Sequence, residues 1–251
     1  MRIIISPAKK MNTDTDSMPV LSLPGLLADT EILLARLREL DAPRLKKLWG
    51  CNDSILEQNL ARLETMDLRR NLTPAILAYE GIQYRYMAPG VFTQSEFDYV
   101  QQHLRILSGF YGVLRPFDGV TPYRLEMQAK LPVGKHRDLY GFWGDRLSRA
   151  VCQDAGWILN LASREYSTCI QSHLPAGMPF ITCVFGEENG GKVTEKGTLC
   201  KMARGEMVRW LAQNNITDPR DLPGFTGLGY RYSERRSDKA TYVFLKEEES
   251  Q

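Results

Sequence analysis

The sequence predicts a mixed α/β (α+β) fold in a single compact domain. Three observations point there. Short β-branched or apolar runs at residues 2–5, 157–161 and 180–185 read as interior strands. Helical patterns with one apolar face separate them. No linker, internal repeat or low-complexity tract divides the 251 residues, a length that suits one large domain or two small ones.

Taken in order, Arg2 to Ile5 forms a strand that Ser6-Pro7 stops, and Lys9 and Lys10 follow at its end. In α/β sheets ligand groups gather at such strand ends; the plain alternative is a solvated lysine pair. Residues 12–24 read as a loop. Leu33, Leu34, Leu37 and Leu40 share one face of a helix over 30–40. Asp41 caps a second helix, 42–49, with Pro43 in its first turn and Gly50 as a left-handed stop. Ser54-x-x-Glu57 reads as a capping box that opens a third helix. The pair, joined by Gly50-Cys51-Asn52-Asp53, has a helix-hairpin-helix arrangement at about residues 43–59. Hairpin amides and a helix N-terminus there suit a phosphate, with Arg44, Lys46 and Lys47 adding charge. A plain αα-hairpin is the competing reading, because the tight Gly-x-Gly turn is missing and Asp53 opposes an anion.

Thr73-Pro74 starts a short helix to 79, and residues 94–104 form an amphipathic one. Residues 105–131 are the most structured stretch. A strand ends at Ser108-Gly109, and Arg115-Pro116 and Thr121-Pro122 then stiffen a folded-back loop. The loop presents Arg115, Arg124, Glu126 and Lys130, and alternation puts Arg124 and Glu126 on one face, Leu125 and Met127 on the other. A helix over 138–154 carries an interior Gly144, which suggests close packing beside Asp145. Ser163 caps a helix containing Glu165 and Tyr166. Asn189-Gly190-Gly191 turns a hairpin. A helix over 201–214 carries Lys201 and Arg204 on one face near its N-terminus. Residues 228–232 and 241–245 close the chain as a hairpin, and 247–251 read as a frayed tail.

Composition sets bounds. The chain is 43% apolar and 25% charged, as ordinary soluble globular proteins are. A net charge of +2 neither demands nor forbids a nucleic-acid partner. No run approaches the ~20 apolar residues of a membrane span, and MRIIISPAKK does not read as a signal peptide. Five dispersed cysteines without a CxxC read as reduced thiols in a cytoplasm. Three scattered histidines offer no metal-ligand spacing, so neither a metal nor a cofactor is expected.

Several segments together resemble the YaaA family of peroxide-stress-resistance proteins: ISPAKK at 5–10, LSGFYGVLRPFDGVTPYRLEMQAKL at 107–131, LYGFWGD at 139–145, NLASREY at 160–166, KMARG at 201–205 and the closing GYRY and YVFLK. The resemblance runs in order from residue 2 to about residue 246. It implies a compact domain of unusual topology, with a central mixed sheet, surrounding helices and a positively charged cleft, and it implies the helix-hairpin-helix element. It further implies a cytoplasmic protein of the oxidative stress response that binds DNA without strong sequence preference and lowers iron-dependent damage. EGIQYRYM at 80–87 and Gly119-Val120 depart from the family pattern.

Two functions from different classes follow. In the first, the chain is a monomeric DNA-binding protein. Arg44, Lys46 and Lys47 hold phosphates with the hairpin around Gly50, Asn52 and Ser54, and Lys9, Arg115, Arg124, Lys201 and Arg204 make the cleft positive. In the second, it is an enzyme acting on a nucleotide, nucleic acid or other anion. Glu126 or Asp145 is then the general base, with Lys9 and Arg124 binding the anion. A buried salt-bridge network that merely fixes the fold competes with both. Direct iron binding lacks a ligand cluster.

Overall fold

The structure, a computed structural model, describes residues 1–247. Its centre is an eight-stranded mixed sheet. The strands are β1 (Arg2–Ile5), β2 (Leu104–Ser108), β3 (Gly112–Leu114), β4 (Ile158–Leu161), β5 (Phe180–Asn189), β6 (Lys192–Thr194), β7 (Tyr230–Tyr232) and β8 (Thr241–Lys246). They lie in the order β7-β8-β5-β4-β1-β2-β3, with β6 folded back onto β5. Five strands run parallel: β8, β5, β4, β1 and β2. Ile3, Ile4 and Ile5 have no solvent exposure. A β-branched run without alternation is what a strand covered on both faces requires.

Along the chain the parallel strands stack second, first, third, fourth, fifth. The chain therefore builds to one side of β1 with β2 and to the other with β4, β5 and β8. The order reverses between β1 and β4, which pair from Arg2 with Ile158 to Ile5 with Leu161. At such a reversal the segments leaving the two strands part company, and a crevice opens beyond their carboxyl ends.

Ten α-helices surround the sheet among the described residues: α1 (Leu27–Arg38), α2 (Ala42–Trp49), α3 (Asp53–Thr65), α4 (Ala75–Ala78), α5 (Ile82–Met87), α6 (Gln94–His103), α7 (Leu139–Trp143), α8 (Arg146–Cys152), α9 (Arg164–Gln171) and α10 (Gly197–Gln213). Asp41 caps α2 by accepting from the Arg44 amide at 2.9 Å, and Gly50 ends it at φ 53°. The capping box expected at Ser54 is not used. Asn52 caps α3 instead, accepting from the Ile55 amide at 3.0 Å, because it is the residue that leaves the Gly50 turn in an extended conformation. Thr73-Pro74 bridges Gly119-Val120, and Pro74 is then the N-cap of the short helix α4, as expected.

The helix expected over 138–154 is broken into α7 and α8 at Gly144, whose φ of 51° and ψ of −130° suit glycine alone. A Cβ there would meet nothing nearer than the Gly141 carbonyl at 3.9 Å, so this glycine serves a turn and not close packing. Both hairpins form as read, β5–β6 and β7–β8. Of the expected tail, 248–251 lie outside the described residues.

Residues 104–131 are mostly buried, and Tyr111, Phe117 and Tyr123 hold them down. Leu125 and Met127 point inward while Arg124 and Glu126 are half-buried, as the alternation demands. Gly109 fixes how this segment lies. A Cβ on it would come within 2.6 Å of the Leu125 carbonyl and 2.8 Å of the Glu126 carbonyl carbon. Only glycine lets the turn after β2 touch the backbone that carries both charges. Trp143 pins the same turn by donating to the Gly109 carbonyl at 3.0 Å.

Candidate functional site

The crevice beyond β1 and β4 is a cavity of about 420 Å³. Its floor is the strand ends themselves. Ser6 follows β1, Ser163 opens α9 after β4, and the Ser163 amide donates to Ser6 Oγ at 2.8 Å. Three further elements complete it: the Tyr123–Glu126 segment, the start of α5 with Gln83 and Tyr84, and Lys201 and Arg204 of α10. The approach of α10 to α5 is set by Gly205, where a Cβ would stand 2.1 Å from the Gln83 carbonyl oxygen.

Lys9, Lys10, Arg124, Lys201 and Arg204 line this cavity against Glu80, Glu126 and Glu165. Lys9 pairs with Glu126 at 2.9 Å and Lys10 pairs with Glu80. The Arg124 guanidinium has no carboxylate partner among the described residues and donates only to the Trp49 carbonyl, at 3.3 Å. Lys201 likewise has no ion pair among them. Arg204 reaches Glu195 at 3.5 Å, and its Nε is buried without a partner. The cavity therefore carries cationic groups that the protein itself leaves only partly satisfied. Glu165 holds its proton above the ordinary carboxylate range, first because it is half-buried and then because Glu126 is near, while an amide hydrogen bond from Gln128 opposes the shift.

Tyr84 donates its hydroxyl to the Ser6 carbonyl, and the Tyr123 hydroxyl meets those of Ser108 and Tyr79. Both hydroxyls are engaged within the protein, and both side chains are buried, with Tyr123 stacked on Phe110 at 4.9 Å. Burial pushes both phenols well up, so they stay neutral.

A second cavity, about 750 Å³, adjoins the first, and both are lined by Lys9 and Glu126. It runs past the end of α2 and is lined by Arg36, Arg44, Lys47, Trp49, Gly50 and Lys130. Lys47 and Lys130 have no carboxylate partner among the described residues. Trp49 Nε1 is buried without a partner.

The family described as "Peroxide stress protein YaaA" matches residues 1–236. The chain belongs to the YaaA family. A UPF0246 protein of Agathobacter rectalis is 52% identical, over 97% of this chain and 98% of its own length. One from Desulfitobacterium hafniense is 53% identical over 98% of each, and one from Lactiplantibacillus plantarum is 51% identical over 98% and 99%. A role in the peroxide stress response therefore comes with membership of the YaaA family.

Within this YaaA-family chain the residues singled out from sequence separate into groups. Lys9, Arg124, Glu126, Lys201 and Arg204 come together at the first cavity, and Arg44, Lys47 and Gly50 line the second. Lys46 is on neither wall and pairs with Asp53 at 2.5 Å. Asn52 spends its side chain on capping α3, and Ser54 is exposed in the first turn of that helix. Arg115 follows β3, which runs antiparallel to β2, so the chain there heads away from the cavity. Asp145 is exposed, pairs with Arg149 at 2.6 Å and lies outside both cavities. Sequence patterns do not single out Arg36, Trp49 and Gln83, whose place on a wall depends on packing between distant segments. No cluster of three or more His, Cys, Asp or Glu suited to a metal occurs among the described residues.

Proposed function

We propose that the chain is a DNA-binding protein of the peroxide stress response, which takes the phosphate backbone in the joined cavities without strong sequence preference. One observation carries this reading. Two cavities share the Lys9–Glu126 wall, the second passes the α2–α3 turn, and Lys47, Arg124, Lys130 and Lys201 line them with no carboxylate partner among the described residues. Cations left without an ion pair and spread along a trough suit a chain of phosphates more than a single small anion. Duplex or branched DNA is the expected partner, and shielding DNA from iron-dependent damage is the physiological role that fits the family.

The test is a titration of duplex, junction and single-stranded DNA over a salt series, with Lys47→Ala/Lys130→Ala as the variant. Removing one lysine–phosphate interaction should lower the log–log salt slope by about 1, so the double variant should show a slope smaller by about 2. Equal slopes for both proteins, or no binding at low salt, would overturn the reading. The enzyme reading has its own observation: Glu126 and Glu165 face the same cavity as Lys9 and Arg124. Under it, Glu126→Gln abolishes turnover of a bound nucleic acid without weakening its binding.

A further inference from the structure

We infer that the amino ends of β1 and β2 carry a second polyanion site, separate from the cavities, in which Arg2, Arg105 and Arg115 take a linear chain of phosphates. Strand register puts the three on one face of the sheet. Ile4 pairs with Arg105, and Arg2 shares the face of Ile4. One step past the Ile106–Leu114 pair, Arg115 stands opposite Arg105. The row crosses β1, β2 and β3, about 10 Å at ordinary strand spacing. It lies at the far end of β1 from the cavities, since the chain runs roughly 13 Å from Arg2 to Ser6.

A role in the fold accounts for only part of this arrangement. Arg2 donates to the Gln102 and Gln153 carbonyls at 3.1 and 3.3 Å, and Arg105 donates to those of Leu104 and Gln101 at 2.6 and 3.3 Å, at the ends of α6 and α8. These bonds fix where the two guanidinium groups point. Arg105 Nε and Nη2 and the whole Arg115 side chain donate to nothing among the described residues, and Arg2 Nε is buried without a partner. None of the three forms an ion pair among those residues, although Arg105 is only 7% exposed. Buried charges are ordinarily paired, and like charges opposite one another on a sheet are unfavourable. The cost shows on Arg105, whose pKa falls to about 10, first through burial and then through Arg2 and Arg115, against the pull of Asp118. Asp118 is not free to pair: it is buried and accepts from Ser22 Oγ at 2.6 Å and from the Arg115 amide at 2.8 Å. Asp154, exposed, pulls only on Arg2. Capping of helix ends gives no reason for Arg115, which is exposed and caps neither helix.

The ligand follows from the shape of the row. Guanidinium forks bind phosphate oxygens through paired hydrogen bonds. Three of them spread over about 10 Å suit successive phosphates of a chain more than one small anion. The chain of phosphates has two sources, free inorganic polyphosphate or the backbone of a nucleic acid. The second rests on the DNA reading above and gives it a consequence: with the trough at one end of the sheet and the arginine row at the other, one molecule holds two duplexes together. The first does not rest on that reading.

The experiment uses the full chain and two assays. One is calorimetric titration with sodium tripolyphosphate at fixed ionic strength. The other is a sandwich assay, in which a bead-bound duplex captures a second, fluorescent duplex only through the protein. Arg115→Ala is the main variant, because that side chain is exposed and makes no hydrogen bond or ion pair among the described residues. For the free source, tripolyphosphate fills a site that Arg115→Ala weakens about tenfold and that Lys201→Ala, a change in the cavity, leaves as it was. Arg115→Lys keeps the charge without the fork and recovers only part of that loss. For the nucleic-acid source, Arg115→Ala lowers capture of the second duplex about tenfold while affinity for a single duplex changes less than about twofold. A parent protein that binds no duplex and yet keeps an Arg115-dependent tripolyphosphate site loses the DNA reading and keeps this one. An Arg115→Ala protein that matches the parent in both assays overturns the inference, whatever its affinity for a single duplex.

Discussion

Gly205→Ala tests how the cavity is held open. Gly205 sits in the interior of α10. An ideal Cβ there stands 2.1 Å from the Gln83 carbonyl oxygen, 2.9 Å from the Met87 amide nitrogen and 3.0 Å from the Gln83 carbonyl carbon. A carbon–oxygen approach relaxes at about 3.3 Å, so α10 and α5 must separate by roughly 1 Å. The obstacle is helix backbone, which cannot rotate away as a side chain would. Overpacking of this kind costs about 1–3 kcal/mol, and the backbone neighbours place it at the upper end. Ala returns about 1 kcal/mol through its helix propensity. The net loss is therefore about 2 kcal/mol, or a fall of roughly 4–8 °C in Tm for a chain of this size.

Gly197→Ala is the matched control. Gly197 opens the same helix and has nothing within 4 Å of an added Cβ. It should be neutral or raise Tm slightly. Calorimetric melting of the two variants decides the matter. A Gly205→Ala protein as stable as the parent would show that the backbones of α10 and α5 do not touch, and the positions given to Lys201 and Arg204 would fall with it.

Three other outcomes are expected. Gly109→Ala puts a Cβ 2.6 Å from the Leu125 carbonyl, so it should lower Tm and also weaken anion binding, by pushing the Arg124–Glu126 segment outward; urea midpoints and an inorganic phosphate titration read the two effects. Asn52→Ala removes the cap of α3 and should lower stability by about 0.5–2 kcal/mol in urea unfolding. Glu165 binds its proton more tightly folded than unfolded, so stability falls as pH rises through the window just above the ordinary carboxylate range. Glu165→Gln should flatten that part of the stability–pH curve, and an unchanged slope would remove the burial argument for this carboxyl.

Local chemistry is readable from the residues wherever one segment decides the outcome. Asp41, Pro43 and Gly50 bracket α2 because caps and left-handed stops act within a few residues. The alternation at Arg124–Met127 survives because period-two burial needs only one covered face. Pairings across distance are not readable in the same way. The Arg124 guanidinium rests on a carbonyl 75 residues away, and Ser6 accepts from an amide 157 residues away. Lys46 reads as a free cation because its partner Asp53 lies across a turn and not one helical turn along. Gly144 is ambiguous in sequence because an interior glycine signals both close packing and a break, and only φ distinguishes them.

The wall between the cavities carries the last prediction. Lys9 and Glu126 form it, with side-chain exposures of 65% and 21%. An exposed pair of this kind contributes only about 0–1 kcal/mol, so a phosphate can draw Lys9 away from Glu126 at little loss. Glu126 is then the group that resists, because its carboxylate faces both cavities. Glu126→Gln should leave stability almost unchanged and strengthen anion binding in both places at once. Lys9→Ala should weaken both. Inorganic phosphate titration reads the first cavity, and DNA titration reads the two together. A Glu126→Gln protein that gains affinity for one ligand alone would show that the cavities are separate sites, and the continuous trough behind the DNA reading would have to be abandoned.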